Sequence, residues 1–200
     1  MPAELSESDC LEALPEIGWI EDPQIRRGVV AVWQQTGREM AWDSLAEVPK
    51  NLLSEADRSL IGHIRGVTRL AVAIGDSVRE SQGKPYDRDV LLAACLLHDV
   101  SKTLESEPAE GSRIGENGVR PGVKSRIGRN MPHASYGAHL ALNAGLSLEI
   151  ANLIVTHTHK SNVRGATWEA AILFYADYAE TDAALFTFGK RTFLSRWLME

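Results

Sequence analysis

The sequence predicts an all-α fold, a helical bundle that carries an additional helical extension at its N-terminus. Apolar residues recur at intervals of three and four positions along most of the 200 residues, which is the spacing of an amphipathic helix. Capping residues and helix breakers divide this pattern into segments. We find no segment with the strict alternation of a β-strand and no internal repeat. The length suits one domain, or one domain with an extension.

Each predicted helix has a start signal or an apolar stripe of its own. The first opens on Asp22-Pro23, an N-cap followed by proline at the first helical position. Ser147 and Thr167 have the character of N-caps for two later helices, and a further helix frays toward Gly83. In chain order, helices are expected over residues 22–37, 39–48, 60–83, 87–105, 132–145, 147–157 and 167–177.

Residues 106–131 form the least regular segment. They contain five glycines and two prolines, which predicts a long loop that is either a functional lid or disordered. The segment is locally basic, and we expect Arg126 and Arg129 to bind a small anionic substrate such as a phosphate or phosphonate. A solvated loop that balances the acidic N-terminus is the alternative. The basic residues are Arg113, Arg120, Lys124, Arg126 and Arg129.

The composition excludes several classes of function. A net charge of −6 argues against nucleic-acid binding, which usually leaves a basic footprint. Cys10 and Cys95 are far apart and form no metal or redox motif, which is typical of a reduced intracellular protein. The acidic N-terminus does not resemble a signal peptide, and no apolar run has the length of a membrane span. We therefore expect a soluble, cytoplasmic protein without a membrane or nucleic-acid partner.

The most informative segment is the apolar run that ends in the doublet His98-Asp99, with Lys102 one turn later. A carboxylate inside an apolar helix is costly to bury unless it is paired or binds a metal. Helical spacing places Lys102 on the same face as the doublet. An isolated His-Asp pair is more often a core histidine beside a surface aspartate, so the neighbouring residues decide the interpretation.

Four more residues of the types that bind metals lie in or beside predicted helices elsewhere in the chain. With the doublet, they form a complete ligand set for one or two divalent ions. Taken singly, each has another explanation: a core or surface histidine, a helix cap, or an aspartate paired with a cation. The additional residues are His63, His133, His157 and Asp177.

In its order of histidines and aspartates, the chain resembles the HD-domain superfamily of metal-dependent phosphohydrolases over residues 58–185. Five segments carry the resemblance, and the second is similar to the His-Asp-x-x-Lys signature of that superfamily. The segments are His63-Ile-Arg-Gly-Val67, Leu96-Leu-His-Asp-Val-Ser-Lys102, His133-Ala-Ser-Tyr-Gly-Ala138, Ile154-Val-Thr-His157 and Ala176-Asp177.

The resemblance implies a centre with two divalent metal ions, because simpler family members lack the two middle histidines. Asp99 would bridge the two ions, and His159 is an alternative to His157. His139 is expected at the surface. Iron or manganese is expected, with cobalt, nickel, zinc and magnesium as alternatives. One ion would be held by His63, His98, Asp99 and Asp177, and the other by Asp99, His133 and His157.

The same resemblance leaves three functions open. The first is a phosphohydrolase that cleaves a small phosphorylated metabolite or nucleotide through a metal-activated water, with Asp99 and Lys102 as catalytic residues. Lys102 would also contact the substrate. The second is a mixed-valent di-iron oxygenase that oxidises a small phosphonate-like or polyol-like substrate with dioxygen. The third is a non-enzymatic sensor or scaffold, against which the intact ligand set speaks.

Residues 1–57 and 186–200 lie outside the resemblance, which leaves residues 58–185 as the predicted HD domain. We expect Trp33 and Trp42 to pack the N-terminal extension onto the core, and homodimerisation through this extension stays open. The C-terminal segment is an apolar tail that is expected to cover either the core or a partner subunit. Its large apolar residues are Phe186, Phe188, Phe193, Leu194 and Trp197.

Overall fold

The computed structural model describes residues 4–53 and 55–197, and these residues form a helical bundle. The predicted all-α class is confirmed. Short 3₁₀ helices cover Pro15–Trp19 and Leu45–Glu47. The α-helices are α1 (Glu7–Ala13), α2 (Pro23–Glu39), α3 (Leu60–Gln82), α4 (Arg88–Leu97), α5 (Lys102–Glu105), α6 (Arg126–Asn130), α7 (His133–Asn143), α8 (Leu148–Thr156), α9 (Trp168–Thr187) and α10 (Phe193–Trp197).

Helix α4 is the centre of the bundle. All seven side chains from Leu91 to Leu97 are buried, as expected for a helix that is apolar all round. The helix begins after Asp87, whose side chain accepts a hydrogen bond from the backbone N–H of Val90. Helices α2, α3, α8 and α9 all pack against it. The residues that follow α4 are therefore delivered to the interior of the protein.

The N-terminal helices form a layer on this bundle. Helix α2 packs on α4, and Trp33 and Trp42 are both completely buried in the common core. The buried carboxylate of Glu16 binds Arg65 and Arg69 of α3 at 3.2 and 2.7 Å. Both apolar packing and an ion-pair cluster thus fasten the extension to the bundle.

The predicted helix over residues 87–105 is wrong in its middle. The structure ends α4 at Leu97, continues through turns over residues 98–101, and resumes a helix at Lys102. Hydrogen bonds there run from residue i+3 to residue i, as from Val100 N to Leu97 O at 3.1 Å and from Lys102 N to Asp99 O at 3.0 Å. This tighter winding redirects the side chains of the doublet.

The predicted helix over residues 39–48 is also wrong. Helix α2 runs two residues past Gly37 to Glu39, and the following residues are irregular up to the 3₁₀ helix Leu45–Glu47. The reason is the burial of Trp42, whose Nε1 donates to the carbonyl oxygen of Ser106 at 2.9 Å. A capping box between Ser44 and Glu47 replaces the helical hydrogen bonds.

The predicted long loop contains regular structure. Strands β1 (Ser106–Pro108) and β2 (Gly122–Lys124) form an antiparallel pair in which Glu107 faces Val123. Three-residue strands with a proline and a glycine show no alternation, so the sequence pattern could not reveal them. The N-cap positions predicted at Ser147 and Thr167 are confirmed.

The C-terminal segment covers the core only in part. Phe193 packs edge-on against Tyr178 with ring centroids 4.8 Å apart, whereas Phe186 and Leu194 are exposed. Phe188 is exposed as well, and the side chain of Trp197 lies outside the described residues. Within the described residues, no helix combines the length and the apolar character needed to cross a membrane.

Candidate metal centre

The doublet lies in the turn after the central helix, where both side chains are almost completely inaccessible. His98 is 0 % exposed and Asp99 is 1 % exposed. The next turn is tied to α7, because the hydroxyl of Ser101 donates to the carbonyl oxygen of His133 at 2.7 Å. The start of α7 is thereby fixed beside the doublet.

A first group of ligand atoms comes from three elements, and we call it the first trio: His63, His98 and Asp177. His63 stands in the first turns of α3, and Asp177 lies midway along α9. His63 Nε2 is 3.2 Å from His98 Nε2 and 3.3 Å from Asp177 Oδ1. All ligand atoms of the trio lie within 4.8 Å of one another.

A second group, the second trio, consists of Asp99, His133 and His157. His133 is the first residue of α7 and His157 directly follows α8. The two Nε2 atoms are 3.3 Å apart, and they lie 3.3 and 3.7 Å from Asp99 Oδ1. These ligand atoms are again all within 4.8 Å of one another.

Asp99 connects the two trios through its two carboxylate oxygens. Its Oδ1 faces the second trio, whereas its Oδ2 lies 3.4 Å from His63 Nε2 and 3.6 Å from His98 Nε2. This is the placement required of a carboxylate that bridges two cations. The structure thus brings together all six residues that the sequence predicted as ligands.

Three of the four histidines are held by a second hydrogen bond on the far side of the ring. His98 Nδ1 donates to the carbonyl oxygen of Cys95 at 2.7 Å, and His157 Nδ1 donates to that of Ile154 at 2.6 Å. His63 Nδ1 bonds Glu180 Oε2 at 2.5 Å. Each bond leaves Nε2 directed at the centre, as is usual for metal-ligating histidines.

Two lysines lie against the bridging carboxylate. Lys102 Nζ is 2.6 Å from Asp99 Oδ2, which agrees with the face predicted from the sequence. Lys50 Nζ is 2.7 Å from the same oxygen and 2.6 Å from His63 Nε2. Sequence reasoning missed Lys50, because it lies in an irregular segment where no periodicity indicates which side chains turn inward.

The environment keeps the imidazoles of His98, His133 and His157 neutral. Burial lowers the pKa of His98 to about 3, although the two carboxylates of the centre act in the opposite direction. Burial also lowers the pKa of His133 and that of His157. Neutral imidazoles have a free lone pair, which is the state in which they coordinate metal ions.

The carboxylates are kept ionised. Burial raises the pKa of Asp99, but the ammonium groups of Lys102 and Lys50 outweigh it and hold the pKa well below its usual range. The pKa of Asp177 is also lowered, because Lys50 and His63 outweigh burial. Burial lowers the pKa of Lys102. Burial also acts to lower the pKa of Lys50, but Asp99 and Asp177 outweigh it and raise that pKa above its ordinary value.

These residues fit a pair of divalent cations. Asp99 Oδ1 and Asp177 Oδ1 are buried and have no hydrogen-bond partner within the described residues. A buried carboxylate oxygen without a donor is rare in proteins and needs a cation or water to satisfy it. The mixed set of imidazoles and carboxylates suits first-row transition ions and zinc.

The centre opens into a cavity of about 500 Å³. Asp99, Lys102 and the two histidines of the second trio line it, together with Asp177. Tyr178 and Phe193, from the C-terminal part of the chain, also line it. The cavity has the size of a small-molecule site, and its lining combines the ligand groups with aromatic rings.

His159 and His139 lie outside the ligand groups. The ring of His159 bonds the hydroxyl of Tyr178 through Nδ1, whereas His157 faces Asp99. His139 is exposed at the surface and bonds Asn143 at 2.9 Å. The geometry therefore favours His157 over the alternative His159.

The structure does not bring Arg126 and Arg129 into the cavity beside Asp99. Both side chains are exposed on α6. Arg129 bonds the backbone carbonyl of Lys124 and lines a neighbouring cavity instead. Arg120, another cation of this segment, is bound to Asp43 at 3.1 Å. Much of the local basic excess is thus engaged within the protein, and substrate binding by Arg126 and Arg129 stays a prediction.

Comparison with known proteins agrees with this geometry. The family model of the HD domain matches residues 60–182. The chain is similar to a dihydroneopterin 2′,3′-cyclic phosphate phosphodiesterase of Methanocaldococcus jannaschii, with 25% identity over 123 residues. The match covers 61% of this chain and 46% of that protein, so less than half of the relative is represented. No solved structure matches the chain. The protein belongs to the HD-domain family.

Proposed function

We propose that the protein is a metal-dependent phosphohydrolase that cleaves a phosphate ester of a small metabolite or nucleotide. The observation that carries the proposal is the bridging placement of Asp99 between two ligand trios at the wall of a cavity. Membership of the HD-domain family and similarity to a phosphodiesterase support it.

Two divalent ions complete the centre in this proposal. The first trio with Asp99 would hold one, and the second trio would hold the other. When bound, such a pair of ions acidifies a water molecule and withdraws charge from phosphoryl oxygens. Iron and manganese are the ions we propose first, and the ligand chemistry also accommodates cobalt, nickel, zinc and magnesium.

The residues of the chain supply orientation and charge. Asp99 Oδ1 has no partner within the described residues and is placed to hold a ligand or a water of the centre. The ammonium of Lys102 lines the same cavity and is placed to bind a phosphoryl oxygen as negative charge develops. The water oxygen bonds to phosphorus, the bond to the ester oxygen breaks, and a proton passes to the leaving oxygen.

The substrate in this proposal is small and anionic. The cavity volume of about 500 Å³ suits a metabolite or a nucleotide rather than a polymer. Four lysines line it, namely Lys50, Lys102, Lys124 and Lys160, and Lys124 is paired with Glu105 at 2.8 Å. The relative is named for a cyclic phosphodiester, so diesters belong in the first screen together with monoesters.

The experiment measures metal content and ester hydrolysis on the same preparation. Protein produced with iron and manganese available is analysed for bound elements, then assayed with para-nitrophenyl phosphate, its bis-ester and a panel of cyclic and linear nucleotides. We expect two ions per chain and metal-dependent turnover of at least one ester. Asp99→Asn is expected to abolish turnover, and Lys102→Met is expected to raise KM or lower kcat about tenfold or more.

Lys84→Met is the matched control, because Lys84 lies over the ring of Trp168, remote from the cavity. Its turnover and metal content should equal those of the unmodified protein. Two irons per chain with substrate-dependent oxygen consumption and without ester hydrolysis would contradict the proposal in favour of a di-iron oxygenase. Absence of bound metal and of any turnover would contradict both.

A further inference from the structure

Lys50 occupies an unusual position within the candidate metal centre. Its side chain is buried, and its Nζ lies 2.6 Å from His63 Nε2 and 2.7 Å from Asp99 Oδ2. Asp177 Oδ1 is 3.9 Å away. These three atoms are ligand atoms of the first metal position, so the ammonium lies against the groups that a cation there would need.

The ammonium and a metal ion cannot use these atoms together. His63 Nε2 has one lone pair, and in the observed geometry it faces the Lys50 ammonium. A metal ion bound to these atoms would lie next to the ammonium, and two neighbouring cations repel each other strongly inside a protein, where water screens them little. A metal ion at the first trio therefore requires Lys50 to withdraw.

We propose that Lys50 is an internal counter-cation of the first metal position, which it occupies in the metal-free protein and leaves when the metal binds. It neutralises Asp99 and Asp177 before loading and thereby lowers the apparent affinity of that position for metal. The inference rests on the two-metal centre of the proposed function, and it is independent of the substrate and the reaction.

The local structure gives the side chain room to move. The backbone at Lys50 is fixed, because its N–H donates to the carbonyl of Arg58 at 2.7 Å next to the β-bridge between Pro49 and Ser59. The side chain itself lines the 500 Å³ cavity. Its flexible four-carbon stem can therefore carry the ammonium from the ligand atoms into the cavity without movement of the backbone.

Lys102 provides an internal comparison, because it binds the same oxygen of Asp99 at 2.6 Å. It differs in one respect: within the described contacts, Lys102 bonds no histidine of the first trio. A general loss of positive charge beside Asp99 would affect both lysine variants alike. Both lysines contact Asp99 Oδ2, but direct competition for His63 Nε2 and Asp177 Oδ1 involves Lys50.

The test measures Mn²⁺ binding to the metal-free full chain by isothermal titration calorimetry. We expect Lys50→Met to bind Mn²⁺ at one position at least tenfold more tightly than the unmodified protein. Lys102→Met should change the affinity less, and Lys84→Met should leave it unchanged. Lys50→Arg keeps a cation in place and should show no gain.

A second measurement does not depend on the calorimetric fit. Removal of Lys50 leaves Asp177 with an uncompensated buried charge, so metal-free Lys50→Met should melt at a lower temperature than the unmodified protein. Addition of Mn²⁺ should then raise its melting temperature by more than it raises that of the unmodified protein. Lys50→Gln retains a hydrogen-bond donor and carries the same expectations if the methionine variant does not fold.

Equal or weaker Mn²⁺ binding by both Lys50→Met and Lys50→Gln would overturn this inference while leaving the proposed function intact. An equal gain in Lys102→Met would overturn it too, because the effect would then be general electrostatics. Absence of Mn²⁺ binding by every protein in the series, with the same result for Fe²⁺ and Zn²⁺, would overturn the two-metal centre and, with it, the proposed function.

Discussion

The two ligand trios differ in their access to the cavity. The histidines of the first trio, His63 and His98, are completely buried, and neither lines the cavity. All three residues of the second trio line it, and the side chain of His133 is 21% exposed. The histidines of the first trio are enclosed by protein and only its Asp177 lines the cavity, whereas the whole second trio faces the space where a substrate would bind.

This difference indicates that the two metal positions would have different roles. An enclosed position, with ring orientations fixed by Glu180 and by the Cys95 carbonyl, is suited to hold an ion. A position with open coordination is suited to exchange water for substrate, as catalytic sites generally require. Asp99 directs one oxygen to each trio, which would make the two positions interdependent.

Removal of the bridge should have the largest effect, because it breaks both halves of the comparison. Asp99→Asn replaces a charged oxygen shared by the two trios, and we expect the metal content to fall from two ions to fewer than one. Ester hydrolysis should fall by about 10³-fold or more, since two-metal stabilisation is worth several kcal/mol. Elemental analysis and turnover of the same sample check this. Retention of both ions would show that Asp99 does not bridge.

Separate removal of one histidine from each trio should sharpen the comparison. His133→Ala is expected to lose the ion of the open position and to retain one ion through desalting. His63→Ala is expected to lose the enclosed ion and to retain less than one, because the open position alone binds more weakly. Identical metal content in the two variants would contradict the distinction between an enclosed and an open position.

A change in a residue that orients a ligand, but does not itself bind the metal, should have a smaller effect on metal binding. Glu180→Gln weakens the partner of His63 Nδ1, and we expect metal affinity to fall about 10- to 100-fold without loss of the fold. The exposed Glu149 provides the matched control as Glu149→Gln, which should bind metal normally. Calorimetric titration with Mn²⁺ measures both. Unchanged affinity in Glu180→Gln would mean that packing alone orients the ring.

The smallest effect concerns pH and the metal-free protein. The pKa of His98 is about 3 in the folded state against 6.5 for an ordinary histidine, so only the unfolded chain takes up a proton between these values. The free energy of unfolding must therefore fall as the pH decreases through this window. Asp99, whose pKa is also lowered, acts in the same direction below its ordinary value of 3.8.

The measurement is the melting temperature of metal-free protein at about pH 7 and about pH 5, where the protonation of His98 differs between folded and unfolded chains. We expect a lower value at the lower pH. His139→Gln, a change at the exposed histidine, should leave this difference intact. A melting temperature that is higher at the lower pH would contradict the neutral state assigned to His98, His133 and His157.

The sequence predicted these six residues as ligands because their order resembles that of the HD-domain superfamily and each lies in a helix or close to a helix end. Six residues at fixed places in an apolar context are visible as a pattern even without coordinates. Glu180 carried a usable signal too, since it lies three residues after Asp177 and thus on the same face of α9. We did not predict it, because a single acid at that spacing is common.

Other features could not be read from the pattern. The break at residues 98–101 was hidden because the apolar run continues past it in helical register, and only the tight hydrogen bonds reveal it. The position of the Lys50 side chain depends on the β-bridge between Pro49 and Ser59, which holds an irregular segment in place. This pairing is a property of the folded chain that no local sequence pattern shows. The hairpin of β1 and β2 has three-residue strands, which are too short for periodicity.

The hydrogen bond from Trp42 to Ser106 has a consequence for modularity. It ties the N-terminal layer to the segment that follows the doublet, and Lys50 comes from the same layer. A fragment cut at the family boundaries of residues 60–182 would retain all six candidate ligands but would lack Trp42 and Lys50. The segment that matches the family is therefore smaller than the part of the chain that surrounds the candidate metal centre. A domain exchanged at these boundaries would bring the candidate ligands into another protein without these N-terminal residues.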